Sequence, residues 1–134
     1  MKDCLFCKIA KKEIKSMIVK ETNLSLAFLD IKPLTPGHTL VIPKRHRNSF
    51  SDLKNDEVLD FYKVIKNVMN TLRKKLKVES FTLGVNDGKH AGQTISHLHF
   101  HIIPRYPEDK GGSIHSIVNF PPENLEEIYD KIKK

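Results

Sequence analysis

The sequence lacks the features that mark several large classes of protein. No apolar run approaches the roughly 20 residues that a membrane-spanning helix requires, and the N-terminal residues have no apolar core followed by a small-residue cleavage site. The chain also has no low-complexity tract and no internal repeat of solenoid period. We therefore expect a cytoplasmic protein with no membrane partner, and 134 residues suit a single domain over 1–134.

Cysteine is scarce, with two residues in the whole chain, and both lie near the N-terminus. Cys4 and Cys7 are three positions apart. In an intracellular chain a Cys-x-x-Cys pair indicates metal or redox chemistry more than a structural disulfide. The alternative is that both thiols are reduced and pack as small apolar side chains.

Acidic residues are fewer than basic ones, and the formal net charge is +7 at neutral pH. This charge favours anionic partners, whether nucleotide, nucleic acid or lipid surface, and does not choose among them. Aromatic residues do not interleave with the basic ones as in a base-stacking surface, so we expect no nucleic-acid partner. The densest basic run, RKKLK at 73–77, is interpreted as the solvated end of a helix.

The spacing of apolar residues predicts an α+β fold. Apolar residues recur at helical spacing over 53–76, with Ser51 or Asn55 as the N-cap. Strands grouped on either side of one helix favour an antiparallel sheet. Four strands are predicted, at 24–31, 38–44, 80–87 and 96–105. The segment PPENLEEIYDKIK predicts a short terminal helix whose inner face consists of Leu125, Ile128, Tyr129 and Ile132.

Three histidines alternate with apolar residues in the segment SHLHFHIIPR. If the segment is a strand, His97, His99 and His101 lie on one face at intervals of roughly 7 Å. A solvated polar face is the simplest interpretation, but imidazole is a poor strand former, so such a face is seldom all histidine. Two chemistries use such a row: three ligands to a catalytic zinc, or a nucleophilic imidazole with neighbours that fix its tautomer.

The loop before these histidines, NDGKHAGQT, is poor in carboxylates. A catalytic metal acting on phosphate recruits carboxylates, and this loop offers only Asp87. Its amide, hydroxyl and backbone N–H groups suit a phosphate or another oxyanion. A histidine nucleophile splits one displacement at phosphorus into two easier ones, and the nearby Arg105 and the net positive charge favour approach of an anion. We expect no catalytic metal.

Several blocks of the sequence resemble one known family. HLHFHII fits the H-x-H-x-H-x-x signature of the histidine triad (HIT) family, in which x is apolar. CLFCKIAKKEI, AFLDIKPLTPGHTLVIPKRH and NDGKHAGQTISHLHFHIIPR resemble further blocks of that family in the same order, over most of the first 105 residues. The resemblance implies one HIT domain over 1–134, an antiparallel sheet with one long helix and shorter terminal helices, and a homodimer.

The resemblance also implies a nucleotide-binding hydrolase or nucleotidyl transferase that cleaves at the α-phosphorus and releases AMP or another nucleoside monophosphate. The implied substrate is an AMP-containing purine nucleotide, either a nucleoside phosphoramidate or a dinucleoside polyphosphate. The Pro104–Arg105 pair resembles the bacterial-type and dinucleotide-cleaving branches. A non-catalytic nucleotide-binding scaffold or interaction protein is the alternative.

By position in the motifs, His99 matches the nucleophile that forms a nucleotidyl-histidine intermediate. His101 matches the residue that holds the phosphate and stabilises the developing charge, with His97 and His46 as supporting histidines. Asp30 matches the position that binds the ribose hydroxyls, and its carboxylate can accept both of their protons. The phosphate-side loop matches at Asn86, Gln93 and Thr94, of which Thr94 is also a candidate catalytic residue.

A subset of the family that resembles this chain binds a structural zinc. The corresponding ligands here are Cys4, Cys7, His46 and His97. Four soft or borderline ligands with no open position match a closed tetrahedral site. Such a metal ties the N-terminal segment to the histidine row.

Overall fold

The computed structural model describes residues 3–134 as a five-stranded antiparallel sheet with a long helix on one face. The strands lie in the order β1-β2-β3-β5-β4, and each neighbouring pair is antiparallel. The elements in chain order are α1 Leu5–Ala10, β1 Ile18–Glu21, β2 Ser25–Leu29, β3 Thr39–Pro43, α2 Asn55–Leu76, β4 Ser80–Gly84, β5 Phe100–Arg105 and α3 Leu125–Lys133. The predicted α+β class with one long and two short helices is confirmed.

The two faces of the sheet are covered by different helices. The side of α2 that carries Phe61 and Val68 packs against Ala27, Val41 and other residues of the sheet. The opposite face receives α1, and that second cluster comprises Phe6, Ile9, Leu26, Phe28, Leu40 and Ile42. Strands β2 and β3 are thus buried on both faces, which explains why they appear as continuous apolar runs. In the part of the chain that the structure describes, no helix is long and apolar enough to cross a membrane.

The start of α2 differs from the prediction. Neither Ser51 nor Asn55 is the N-cap: Ser51 lies in a 3-10 turn and Asn55 is the first helical residue, so the cap position is Lys54. The Lys54 N–H donates to the Glu57 carboxylate at 3.0 Å. Glu57 is only 2% exposed and also pairs with Arg47 at 3.0 Å. The buried carboxylate of Glu57, inside the helix, therefore accepts a hydrogen bond at the helix start. We had expected the side chain of Ser51 or Asn55 to accept one there.

Strand β5 begins at Phe100, four residues later than predicted. The N–H of Leu98 donates to the carbonyl of Arg47 at 2.6 Å, and the N–H of His97 donates to the carbonyl of Ile95 at 2.8 Å. These local partners replace a sheet ladder, which starts where Phe100 pairs with Val41. The first two histidines of the row therefore lie in an irregular segment that leads into the strand, and only His101 lies within the strand.

The C-terminal segment is amphipathic, but its apolar side does not face inward. Residues 110–134 are all exposed. The helix α3 forms where predicted, with the Asn124 side chain accepting from the Glu127 N–H at 3.2 Å. The expected inner face is wrong for the single chain, because its four residues are 40–74% exposed: Leu125, Ile128, Tyr129 and Ile132.

Candidate active site and metal centre

The histidine row borders a cavity on the face of the sheet that α1 covers. This cavity has a volume of about 250 Å³, and its lining includes Phe6, Phe28, Asp30, His99 and His101. The structure therefore brings together the predicted nucleophile, the predicted phosphate-holding histidine and the predicted ribose carboxylate. Its remaining lining is largely apolar and includes residues of α1, β2 and β3 and of the segments that adjoin α1 and β2.

The tautomer of His99 follows from one hydrogen bond. Its Nδ1 lies 2.9 Å from the carbonyl oxygen of His97. A carbonyl oxygen only accepts, so Nδ1 carries the ring proton and Nε2 keeps its lone pair. His99 is buried, with 9% of its surface exposed. A fixed imidazole with an available Nε2 lone pair is the arrangement that a histidine nucleophile needs.

The proton positions of His101 are fixed by a residue that sequence reasoning did not select, His38. The N–H of Leu34 donates to Nδ1 of His38 at 3.1 Å, so neutral His38 carries its proton on Nε2. That Nε2 lies 3.0 Å from Nδ1 of His101 and donates to it. His101 must then carry its own proton on Nε2. It can donate a hydrogen bond to an oxyanion from that atom.

Both histidines of this pair are held neutral. Burial lowers the pKa of His101 to about 4, with further lowering from His99 and His38 and an opposing effect of Asp30. Burial also lowers the pKa of His38, against the raising effect of Asp30. The sequence signal for His38 was its position at the start of the predicted strand segment HTLVIPK. In the structure this polar residue is only 2% exposed.

Asp30 follows β2 directly and is held by the backbone. Its Oδ1 accepts from the Lys32 N–H at 2.9 Å, and its Oδ2 lies 3.8 Å from Nε2 of His38. The carboxylate is thus positioned at the cavity, beside the pair of neutral imidazoles.

The side chain of Gln93 holds the loop before the histidine row. Its Oε1 accepts from the Gly88 N–H at 2.8 Å, and its Nε2 donates to the carbonyls of Asn48 and Ile95 at 3.0 and 3.1 Å. The bond to Asn48 ties the loop to the segment after β3, and the bonds with Gly88 and Ile95 hold the loop itself together. Gln93 is therefore a loop-positioning residue.

The other two loop residues, Asn86 and Thr94, are exposed. Thr94 lines a shallow depression together with Cys4 and His46, and neither Thr94 nor Asn86 is among the residues lining the cavity of His99. The structure therefore does not bring either residue into the lining of that cavity.

Arg105 does not act as a free cation toward an anion, contrary to the sequence-based expectation. Its guanidinium forms a two-pronged ion pair with Asp109, at 2.8 and 3.1 Å, and donates to the Thr82 hydroxyl and the Gly112 carbonyl. Hydrogen bonds from Arg105 and from backbone N–H groups lower the pKa of the Asp109 carboxyl. Arg105 instead anchors the turn after β5.

The four residues predicted to bind zinc converge in the structure. Their ligand atoms all lie within 4.8 Å of one another. Nδ1 of His97 lies 3.3 Å from Sγ of Cys4 and 3.5 Å from Sγ of Cys7, and Nδ1 of His46 lies 3.2 Å from Sγ of Cys7. Tetrahedral zinc with ordinary Zn–S and Zn–N bond lengths separates sulfur from nitrogen by about 3.5 Å. The donor set fits zinc in both chemistry and spacing.

The surroundings of His97 also suit a metal ligand. Its Nε2 lies 2.9 Å from the Pro43 carbonyl, so Nε2 carries the proton and the Nδ1 lone pair faces the cysteines. Burial lowers the pKa of His97 to about 4, which keeps the imidazole neutral. Metal-binding histidines typically donate their other ring N–H to a carbonyl or carboxylate, which fixes the tautomer.

Phe6, the second residue between the cysteines after Leu5, is a site residue that the sequence reasoning did not single out. It is 4% exposed, and its ring centroid lies 5.9 Å from that of His97 and 5.0 Å from that of His99. One aromatic side chain thus contacts a candidate metal ligand and the candidate nucleophile. The sequence signal for Phe6 was the presence of an aromatic residue inside the Cys-x-x-Cys pair.

Comparison with known proteins identifies related chains. A family model described as the HIT domain matches residues 11–108. An uncharacterized HIT-like protein of Methanocaldococcus jannaschii is 42% identical over 97% of this chain and 98% of its own. An adenosine 5′-monophosphoramidase of Saccharomyces cerevisiae is 38% identical over 98% of this chain and 77% of its own. An asymmetrical bis(5′-nucleosyl)-tetraphosphatase of Schizosaccharomyces pombe is 34% identical over 90% of this chain and 67% of its own.

Solved structures agree with this relationship. A Streptococcus mutans protein has a TM-score of 0.88 and 35% identity, over 99% of this chain and 85% of its own. A zinc-bound histidine triad family protein of Mycobacterium smegmatis has a TM-score of 0.75 and 32% identity, over 94% of this chain and 87% of its own.

Proposed function

The chain belongs to the HIT family, and on that premise we propose that it hydrolyses an AMP-containing nucleotide at the α-phosphorus through a nucleotidyl-His99 intermediate. The observation that carries this proposal is the 2.9 Å hydrogen bond from Nδ1 of His99 to the carbonyl of His97. It leaves the Nε2 lone pair of a buried imidazole available beside the cavity.

In the first step Nε2 of His99 attacks the α-phosphorus, and the bond from phosphorus to the leaving group breaks. The leaving group departs with the bonding electron pair and takes up a proton from solvent water, which is returned when water attacks in the second step. Positive charge then develops on the imidazole, where the His97 carbonyl accepting from Nδ1–H stabilises it. Nε2–H of His101 donates to a phosphate oxygen as negative charge builds up. Water then cleaves the phosphorus–nitrogen bond, which releases the nucleoside monophosphate and restores His99.

The rest of the nucleotide fits the lining of the same cavity. The apolar wall from α1 and β2, which includes Phe6 and Phe28, suits a purine base. Asp30 at the cavity accepts hydrogen bonds from the ribose hydroxyls. We propose that the exposed Asn86 and Thr94 contact the phosphate and leaving group at the rim, and that Gln93 holds their loop in place.

Within this activity we propose a nucleoside phosphoramidate as the preferred substrate. The monophosphoramidase from Saccharomyces cerevisiae is the more similar of the two named hydrolases, and its match covers more of both chains. The Pro104–Arg105 pair supports the dinucleotide alternative less than its sequence suggests, because Arg105 is paired with Asp109.

The metal centre is proposed to hold one structural zinc through Cys4, Cys7, His46 and His97. When bound, the metal supplies a cross-link between the N-terminal segment, the segment after β3 and the histidine row. The chemical steps are assigned to His99 and His101.

We further propose that the single HIT domain over 1–134 forms a homodimer. A groove of about 450 Å³ on the α2 side of the sheet includes Phe50, Tyr62, Met69 and Leu83 in its lining, and the tail adds large exposed apolar residues such as Phe120 at 92%. Apolar surface of this extent supports an interface. Sedimentation of the full chain at micromolar concentration is expected to give a dimer mass, and a monomer mass contradicts this part of the proposal.

The substrate proposal is tested by AMP release. The protein is incubated separately with adenosine phosphoramidate and with diadenosine polyphosphates, and the kcat/KM values are compared. We expect the larger value for the phosphoramidate. A larger value for a polyphosphate reverses the substrate preference, and no AMP release from any of them, with AMP still bound, supports the scaffold alternative.

A further inference from the structure

The helix α1 connects the metal centre to the nucleotide cavity. It has six residues, Leu5–Ala10, and isolated helices of that length are not stable in water. Cys4 is its N-cap and Cys7 lies in its first turn, so two of the four candidate metal ligands belong to it or adjoin it. The position of α1 therefore depends on tertiary contacts, which are the candidate metal ligands at its N-terminal end and the packing of Phe6 and Ile9 against the sheet.

The same short helix forms a wall of the cavity. Leu5, Phe6 and Ile9 line it together with His99. Phe6 also packs against Phe28 of β2, with ring centroids 5.9 Å apart. A shift of α1 therefore changes both the shape of the cavity and the packing around the candidate nucleophile.

Phe6 is the aromatic residue of α1, and its ring contacts a residue of each site. It meets the edge of His97 at 83° and 5.9 Å, and it lies tilted at 56° and 5.0 Å against His99. Nδ1 of His97 faces the cysteines of the candidate metal centre, and its Nε2 donates to the Pro43 carbonyl. The ring of Phe6 thus occupies the space between a residue that the metal fixes and a residue that must stay aligned toward phosphorus.

From these contacts we infer that Phe6 is a positioning residue that links occupancy of the metal centre to nucleotide affinity. The metal holds α1 in place through Cys4 and Cys7, and α1 then holds Phe6 against His99 and the base. Two ligands that both favour the ordered α1 strengthen each other's binding, and the effect is reciprocal. This inference rests on the proposed function, because it takes the cavity of His99 as the nucleotide site.

The test measures binding, not turnover. The dissociation constant of AMP is determined by calorimetry on the zinc-loaded full chain and on the same protein after the zinc has been removed and its removal verified. We expect AMP to bind roughly 10-fold more weakly without zinc, in the range typical of coupled sites. By reciprocity, saturating AMP is expected to raise the apparent zinc affinity by the same factor.

A matched pair of variants locates the coupling. Phe6→Leu keeps an apolar side chain in α1 but removes the ring contacts, and Phe81→Leu makes the same change on the α2 side of the sheet. Both are expected to bind one zinc per chain. In Phe6→Leu the ratio of the two AMP dissociation constants is expected to fall below about 2-fold, whereas Phe81→Leu keeps the roughly 10-fold ratio of the parent protein.

The possible failures are distinguishable. If the zinc-loaded protein does not bind AMP, the proposed function fails and this inference fails with it. If AMP binds equally well with and without zinc, the proposed function stands and the inference alone is overturned. If Phe6→Leu keeps the full ratio, Phe6 is not the linking residue and the inference is likewise overturned.

Discussion

Nε2 of His38 donates to Nδ1 of His101 across 3.0 Å, and this contact determines what His101 can do. Since the backbone of Leu34 already donates to the other nitrogen of His38, the direction of both hydrogen bonds is set. The neutral His101 then presents an N–H, not a lone pair, at its second nitrogen. His101 is thereby suited to stabilise an oxyanion, while His99, with the opposite proton arrangement, is suited to attack.

Replacing His38 tests this proton arrangement. His38→Leu removes the donor to His101, which can then rotate or change tautomer, and leaves the Leu34 N–H without its partner. We expect kcat for AMP release to fall about 10-fold or more, with KM changed less than about 2-fold, because the lost interaction serves the transition state. His115→Leu, at an exposed residue of the tail, is the matched control and is expected to keep the parent kcat. Equal kcat values in the two variants contradict the assignment.

The depressed pKa of His101 predicts an acid limit of stability. The unfolded chain protonates this histidine near its ordinary value of 6.5, whereas the folded protein takes up the proton only near 4. Between these values the unfolded state binds more protons, so the free energy of unfolding falls as the pH is lowered from about 6.5 to about 4. Urea denaturation across this range is expected to show a smaller decrease in His101→Asn than in the parent. Parallel curves for the two proteins rule out this contribution.

The buried acid Glu57 is expected to support both α2 and the histidine row. It accepts from the Lys54 N–H and pairs with Arg47, whose carbonyl in turn accepts from the Leu98 N–H. Burial raises the pKa of Glu57, but these hydrogen bonds outweigh it and the net pKa is lowered, so the carboxylate is charged. Glu57→Ala is expected to cost about 3 kcal/mol of unfolding free energy, as for a broken buried ion pair.

Urea titration at neutral pH measures this cost. Glu126→Ala, at an exposed glutamate of α3, is the control and is expected to change stability by less than about 0.5 kcal/mol. A loss for Glu57→Ala that is no larger than that of the control contradicts the role assigned to Glu57.

Zinc content is predicted directly by the Cys4, Cys7, His46 and His97 cluster. Protein purified without chelators is expected to contain about one zinc per chain by elemental analysis, and Cys7→Ser is expected to lose most of it because a thiolate ligand is removed. His99→Ala is the matched control from the same region and keeps its metal. Parent protein that contains no zinc contradicts the assignment.

The sequence predicts a helix or strand well where the spacing of its apolar residues matches the faces that the fold buries. The apolar runs at 24–31 and 38–44 predict β2 and β3 because both faces of these strands are buried, and helical spacing predicts α2 to within two residues. The short strand β1 gave no such signal: it has four residues, largely half-buried, with a register shift between Ile18 and Lys20.

The candidate site could be predicted only where its residues lie in sequence motifs. The resemblance selected His99 and the cysteines because they lie in sequence motifs, and the structure gathers the four ligands as expected. It could not select His38, whose partner His101 is 63 positions away. The resemblance also did not predict that Arg105 forms an ion pair with Asp109, four residues further along the chain. Contacts of this kind depend on the fold and not on spacing.

The most direct test of the proposed activity is capture of the covalent intermediate. Protein mixed with adenosine phosphoramidate is quenched during turnover, its intact mass is measured, and the modified residue is located by peptide mass spectrometry. We expect an added adenylyl group on His99 in the parent protein. In His99→Ala we expect no adduct and no AMP release above background, with AMP binding retained. An adduct on another residue, or turnover that persists in His99→Ala, contradicts a nucleophilic role for His99.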